Sequence, residues 1–290
     1  MISDAKITNL SYNKTINVRG KLISLEKPLV MGILNLTHNS FYDGGKYVNN
    51  LNDALLFAQN MIEQGADIID IGACSTHPGT KPLEAKEELE QILPVLRQLR
   101  KQYPDITISI DTFLSEVAKQ TIMEGADIIN DISGGVFDKE LLPTVAELNC
   151  PYILMHTSAM PENMQENTSY NNIFLDISSY FSSKIQKLRE LGVKDIILDL
   201  GFGFGKTIEQ NYYLLNHIMD FRVFSLPILT GISRKSMIYR TLETTPQEAL
   251  NGTTFLHYLA LENGSNILRV HDVLQAKECI KLFEKVKQNN

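Results

Sequence analysis

Eight short apolar runs rich in β-branched residues recur along the 290-residue chain, near residues 30–36, 66–72, 107–113, 126–132, 151–155, 195–200, 226–232 and 266–270. Between them lie charged stretches whose apolar residues return every three or four positions, such as Glu84 to Lys101, Ile173 to Leu191 and Pro246 to Leu261. The short runs suit strands and the longer stretches suit amphipathic helices. Several helical stretches end alike, as Glu63-Gln64-Gly65, Glu124-Gly125, Glu190-Leu191-Gly192 and Glu262-Asn263-Gly264, each just before the next run. Glycine in that place supplies the left-handed residue that lets the chain reverse after a helix.

Alternating strand and helix calls for parallel pairing through right-handed crossovers. Eight such units over residues 30–290 fit a closed (β/α)8 TIM barrel of the α/β class, with a doubly wound open sheet as the alternative. Residues 1–29 show strand-like alternation with turn residues and read as an N-terminal β-hairpin capping the barrel floor. No linker rich in Pro, Gly or Ser divides the chain, so a single domain is expected.

Composition narrows the function. The 27 basic and 34 acidic residues leave a net charge of −7, which repels a phosphate backbone and makes nucleic acid a poor partner. Apolar runs fall far short of the ~18 residues a membrane span needs. The opening MISDAKITNL has no charged start followed by a long apolar segment, so a cytoplasmic location is expected. Cys74, Cys150 and Cys279 are an odd number at wide spacing, which argues against a disulfide framework and a zinc cluster, and they read as reduced thiols.

Every run ends in something polar: Asn35, Asp70, Asp111, Asn130 with Asp131, His156, Asp199, Ser233 with Arg234 and Lys235, and Arg269 with His271 and Asp272. Any one of these could be a helix cap or a core ion pair. In a barrel, however, all eight ends open on one face, where such folds hold their sites. Asp111, Asn130 and Asp199 suit the edge of a flat heterocycle with adjacent N–H donors, whereas Arg234, Lys235, Arg269 and His271 suit phosphate. Asn35, with phosphate oxygens and water, would suit magnesium. Taken singly, His156 also reads as a satisfied core histidine, and Asp70 as a structural partner for a backbone group or a lysine.

The stretch LDLGFGFGKT, from Leu198 to Thr207, looks at first like a phosphate cradle. Only three residues separate Gly201 from Gly205, where a nucleotide-hydrolase loop needs four, and the dinucleotide spacing is absent too.

Together these stretches resemble a known family. G-I-L-N-L-T at 32–37, S-F-Y-D-G-G at 40–45, G-A-D-I-I-D-I-G at 65–72, S-T-H-P-G at 75–79, I-D-T at 110–112, N-D-I-S-G-G at 130–135, G-F-G-F-G-K-T at 201–207, S-R-K-S at 233–236 and R-V-H-D at 269–272 are similar, in order, to dihydropteroate synthase. The resemblance implies a transferase of folate biosynthesis, usually a homodimeric barrel. It would join 4-aminobenzoate to 6-hydroxymethyl-7,8-dihydropterin pyrophosphate, giving dihydropteroate and pyrophosphate. By motif, Asp111, Asn130, Asp199 and Lys235 would hold the pterin, with Asp111, Asp199 and Lys235 as the catalytic set. Asn35 would hold Mg2+, and Arg269 and His271 the pyrophosphate. Thr76 would sit near the substrate in the second loop, and Phe204, Ser233 and Arg234 would line the aminobenzoate side. The GFGFGKT loop would pass close to a planar ring and offer Phe204 as a stacking face.

Three departures from the family pattern stand out. The first loop reads Thr37-His38-Asn39-Ser40 where the family has Thr-Pro-Asp-Ser, His77 replaces an arginine, and Leu200 replaces a proline after Asp199. They predict changes on the aminobenzoate side and an altered response to sulfonamides. The alternative reading is a pterin-binding paralogue with weak or no synthase activity. A methyltransferase acting on methyltetrahydrofolate would share the barrel, but would leave the Arg234, Lys235 and Arg269 cations without a pyrophosphate.

Overall fold

The computed structural model describes residues 14–36, 51–73, 82–158 and 168–289. Two short strands, β1 (Thr15–Val18) and β2 (Lys21–Ser24), form an antiparallel hairpin. Eight more follow: β3 (Leu29–Asn35), β4 (Ile68–Gly72), β5 (Thr107–Asp111), β6 (Ile128–Asp131), β7 (Tyr152–Met155), β8 (Ile196–Asp199), β9 (Ile228–Thr230) and β10 (Ile267–Val270). These pair in parallel, each with the next, and β10 pairs with β3 to close the barrel. All eight expected runs are strands of this barrel. The expected helices lie between them, including Ala85–Gln102 and Ile173–Glu190. The stretch from Pro246 breaks into a 3-10 turn, Pro246–Glu248, and a helix, Leu250–Glu262.

The predicted glycine caps are present. Gly65, Gly125, Gly192 and Gly264 all have φ between 93° and 104°. The amide after each returns to the carbonyl five residues back, as Ala66 to Met61 and Ala126 to Thr121, both at 2.9 Å. A second regularity follows directly. Asp67, Asp127 and Asn266, each two residues past its glycine, accept an amide in the first two positions of the neighbouring strand: Val30 at 2.7 Å, Ile108 at 2.7 Å and Ile228 at 3.0 Å. The repeated Gly-Ala-Asp-Ile-Ile thus reverses the chain, buries a small residue and fixes the register of the next strand pair in five positions.

The hairpin turns through Arg19 and Gly20, both at positive φ, as a two-residue loop compatible with strand twist requires. Its buried face, Ile16 and Val18, packs with Leu25 against Met31, Ile68, Ile128, Ile153, Ile197, Leu229 and Ile267. One side chain from each of seven barrel strands therefore joins the hairpin in a single apolar cluster, which seals that end of the barrel. Burying an aliphatic side chain of this size contributes about 1.5–3 kcal/mol. Leu22, on the other face of the hairpin, is exposed.

Candidate active site

Strand period places the site. Side chains two apart on a strand share a face, so Ile68, Ile128, Ile197 and Ile267 on the sealed floor put Asp70, Asn130, Asp199 and Arg269 one layer higher in the same interior. Asp70 is fully buried, and Asn130 and Asp199 are only 3% and 6% exposed. One step further up, Asn35, Gly72 and Asp111 lie side by side in register across β3, β4 and β5, with Asn130 next to Asp111 on β6. A Cβ on Gly72 would stand 3.2 Å from that of Asp111, so the glycine leaves room for the acid.

Arg269 organises this layer. Its Nε donates to Asp70 Oδ2 at 2.7 Å and its Nη2 to Asp111 Oδ2 at 2.7 Å. The same Asp70 oxygen accepts from Asn130 Nδ2 at 3.0 Å. Burial pushes Asp111 up to about 7 against the pull of Arg269, with the Asp70 carboxylate adding to the rise. Asp199 is likewise raised by burial and opposed chiefly by Lys235, and it accepts the Gly201 amide at 2.8 Å. Burial draws Lys235 down to about 8, with Asp199 resisting. The Lys235 ammonium donates to the Phe202 carbonyl and stands 4.6 Å from the centre of the Phe204 ring. Phe113, Ile132 and Met155, with Phe137 and Phe204 against them, make an apolar wall. A pit with carboxylates, an amide and two cations on one side and such a wall on another suits a flat, polar-edged, anionic ligand.

The GFGFGKT loop resolves into the inverse of a phosphate cradle. In a phosphate loop, backbone amides turn inward to an anion. Here carbonyls turn inward to a cation, the chain's own Lys206. Its Nζ donates to Gly201 O at 2.8 Å and Phe204 O at 3.0 Å, and lies 3.1 Å from His156 Nδ1. An ammonium only donates, so Nδ1 is the acceptor and the imidazole is neutral. Burial and then Lys206 push that imidazole down to about 2. Gly201 has φ 67°, and a Cβ there would lie 1.9 Å from the His156 carbonyl oxygen, so no other residue fits.

Asn35, Asp111, Asn130, Asp199, Lys235 and Arg269 thus come together at one end of the barrel. Two of the expected cations do not bring a free positive charge to the pit. The Arg234 guanidinium pairs with both Asp272 oxygens, at 2.7 and 2.9 Å, and donates to the carbonyls of Pro246 and Gln247, so it braces the wall of the pit. His271 Nδ1 lies 3.1 Å from Ser233 Oγ, and burial followed by Arg269 holds this imidazole down to about 3, hence neutral. Of the four expected cations, Lys235 and Arg269 bring charge to the pit. Asp131 points away from Asn130, accepting the Ser133 and Gly135 amides at 2.6 Å and the Tyr152 hydroxyl at 2.5 Å. Leu200, expected near the aminobenzoate side, is fully buried in the main hydrophobic core. Thr76, His38, Asn39 and His77 lie outside the described residues.

Asp70 was the residue undervalued by sequence, since its partners are Arg269 and Asn130. The signal lay in the repeat: Asp70 and Asn130 occupy the same place in G-A-D-I-I-D and G-A-D-I-I-N, so if one faces inward the other does.

Comparison with known proteins agrees with this geometry. The family model described as pterin binding enzyme matches residues 31–271. The dihydropteroate synthase of Escherichia coli (strain K12) is 40% identical over 268 residues, covering 92% of this chain and 94% of that protein. That of Synechocystis sp. is 43% identical over 262 residues, covering 89% and 90%. A crystal structure of the Yersinia pestis enzyme with a sulfonamide drug complex superposes with a TM-score of 0.91 at 37% identity, over 95% of this chain and all of that one.

Proposed function

The chain belongs to the dihydropteroate synthase family, and from that premise we propose that the pit formed by Asp111, Asn130, Asp199, Lys235 and Arg269 is where it condenses 6-hydroxymethyl-7,8-dihydropterin pyrophosphate with 4-aminobenzoate. Relatives matching nine-tenths of the chain are synthases, which favours this reading over a pterin-binding paralogue. The observation that carries it is the convergence of those five side chains from five strand ends.

In this reading the amino and ring N–H groups of the pterin donate to Asp199 and Asp111, and Asn130 supplies an amide that can both donate and accept. Lys235 closes over the ring opposite Asp199. As the bond between the pterin methylene carbon and the pyrophosphate oxygen loosens, positive charge spreads into the electron-rich ring beside the carboxylates. The arylamine nitrogen then forms the new bond to that carbon, loses a proton, and pyrophosphate departs. Arg269, held on its far side by Asp70, is aimed to meet the departing charge, with neutral His271 as a hydrogen-bond donor next to it. A preorganised donor of this kind contributes a few kcal/mol, roughly 3–4 in measured cases. No covalent enzyme intermediate is needed. Ser233, Phe204 and Thr76 are assigned to the aminobenzoate side, with Arg234 as the brace behind them.

Among the described residues no cluster of three or more His, Cys, Asp or Glu side chains could hold a metal. The half-buried Asn35 amide at the β3 end offers a single neutral oxygen. That lean set fits an ion carried in by the pyrophosphate itself, as magnesium is. Asn35 would hold it, and when bound it would neutralise charge on the leaving group.

We also place the activity in the cytoplasm, in accord with the free, buried Cys150 and Cys279, and in a homodimer, as the resemblance implies. No described helix is long and apolar enough to cross a membrane. The test of the whole reading is to supply pterin pyrophosphate, magnesium and labelled 4-aminobenzoate and to follow labelled dihydropteroate. Product formation is expected; tight pterin binding without product would instead favour the paralogue.

A further inference from the structure

The condensation leaves one buried cation without a part. Lys206 is 4% exposed, and the partners within hydrogen-bond distance of its ammonium are the His156 ring and the carbonyls of His156, Gly201 and Phe204, not a carboxylate. Burying an unpaired charge is costly, and a lysine that merely filled space would be better replaced by an apolar residue. What the charge adds is direction. An ammonium has three donors, and three short acceptors surround it: Gly201 O, Phe204 O and His156 Nδ1. Two belong to the loop and one to the end of the neighbouring β7 strand, so the cation ties the loop to the barrel rim. Burial draws the Lys206 ammonium down to about 7, with Asp199 resisting the fall and Lys235 adding to it, and the Tyr170 and Tyr180 rings pack on His156.

The loop needs such a tie. Three of its five residues are glycines at φ 58–80°, which are the residues that lose most freedom on ordering. Its other anchors hold different points: Gly201 N to Asp199 Oδ1 at 2.8 Å, Lys235 Nζ to Phe202 O, Gly203 N to Asn211 Oδ1 at 2.7 Å and Tyr170 hydroxyl to Gly205 O at 3.0 Å. The Phe204 carbonyl is held by Lys206, and its ring stands beside Lys235 on the apolar wall.

We propose that Lys206 is a positioning residue for the arylamine half of the reaction: its caged ammonium fixes the glycine loop so that Phe204 stands as a wall for the incoming aromatic amine. This rests on the reading of Phe204 as lining that side of the pit.

Lys206→Met keeps the apolar stem and deletes the charge. Two readouts test it. Hydrogen exchange at the Gly203 and Phe204 amides is expected to quicken about tenfold or more while the amides of β8 hold. Steady-state kinetics should show KM for 4-aminobenzoate rising about tenfold with KM for the pterin pyrophosphate within about twofold, a split that a general loss of fold would not give. His156→Leu removes one acceptor and leaves the lysine, and is expected to move both readouts the same way by less; it decides the matter if Lys206→Met gives no cooperative melt. Unchanged loop exchange, or both KM values rising together, overturns the proposal. A wild-type chain that makes no dihydropteroate would sink the functional reading and the kinetic half with it, whereas the exchange arm would still decide whether the ammonium holds the loop.

Discussion

Two groups in the pit titrate close to neutrality, and each must carry its charge for the proposed chemistry. Asp111, raised by burial to about 7, has to be ionised to accept from the pterin, and Lys235, lowered to about 8, has to stay protonated opposite Asp199. Activity is therefore lost as pH falls through the first value and lost again as pH rises through the second. A bell-shaped profile of kcat/KM with limbs near those values is the expected outcome. Lys235→Arg should move the alkaline limb out of range, since a guanidinium does not titrate there. Asp70 calls for a different measurement, because its carboxylate touches no ligand in this reading and holds Arg269 from behind. Asp70→Ala strands a buried guanidinium with one partner and should cost about 3–5 kcal/mol in denaturant unfolding. A cost near zero would mean that Arg269 is held well enough by Asp111 alone.

At the level of strands and loops, the barrel was legible because its signals are local and repeated. Each run carries its own period, and each glycine cap its own turn, so eight units could be counted without knowing how they pack. The polar ends were legible for the same reason. Legibility stopped where a side chain's role depends on a partner far away in sequence. Nothing near Arg234 foretells that Asp272, 38 residues on, will draw its guanidinium into the wall. Nothing near Lys206 tells that its ammonium will face carbonyls instead of phosphate, because spacing excludes a phosphate loop without saying what replaces it. Leu200 looked like a site change by its place in a motif, yet strand alternation turns it outward from Asp199 into the core. Gly201→Ala tests the loop geometry directly. With the His156 carbonyl 1.9 Å from the added carbon and a left-handed backbone, it should cost more than the ~1 kcal/mol of an ordinary Gly-to-Ala strain in thermal unfolding, and abolish activity.

For the molecule as a whole, the fold divides labour between its two ends. The hairpin seals one mouth with apolar side chains, which leaves the opposite mouth as the open end of the interior, and the change from isoleucine to acid or arginine over two residues in β4, β8 and β10 marks the boundary. Ile16→Asp would put an unpaired carboxylate in the sealed end and should unfold the chain or lower its midpoint sharply, with any folded fraction keeping normal affinity for the pterin. Loss of affinity in molecules that remain folded would show that the two ends are coupled. Convergence at the open end is the claim on which the functional account stands, and a crystal structure with a pterin bound tests it most directly. The account predicts the fused ring seated in the pit, with Asp111, Asn130, Asp199 and Lys235 within hydrogen-bond distance of its polar edge. A ring bound elsewhere, or seated with both carboxylates unengaged, would contradict it.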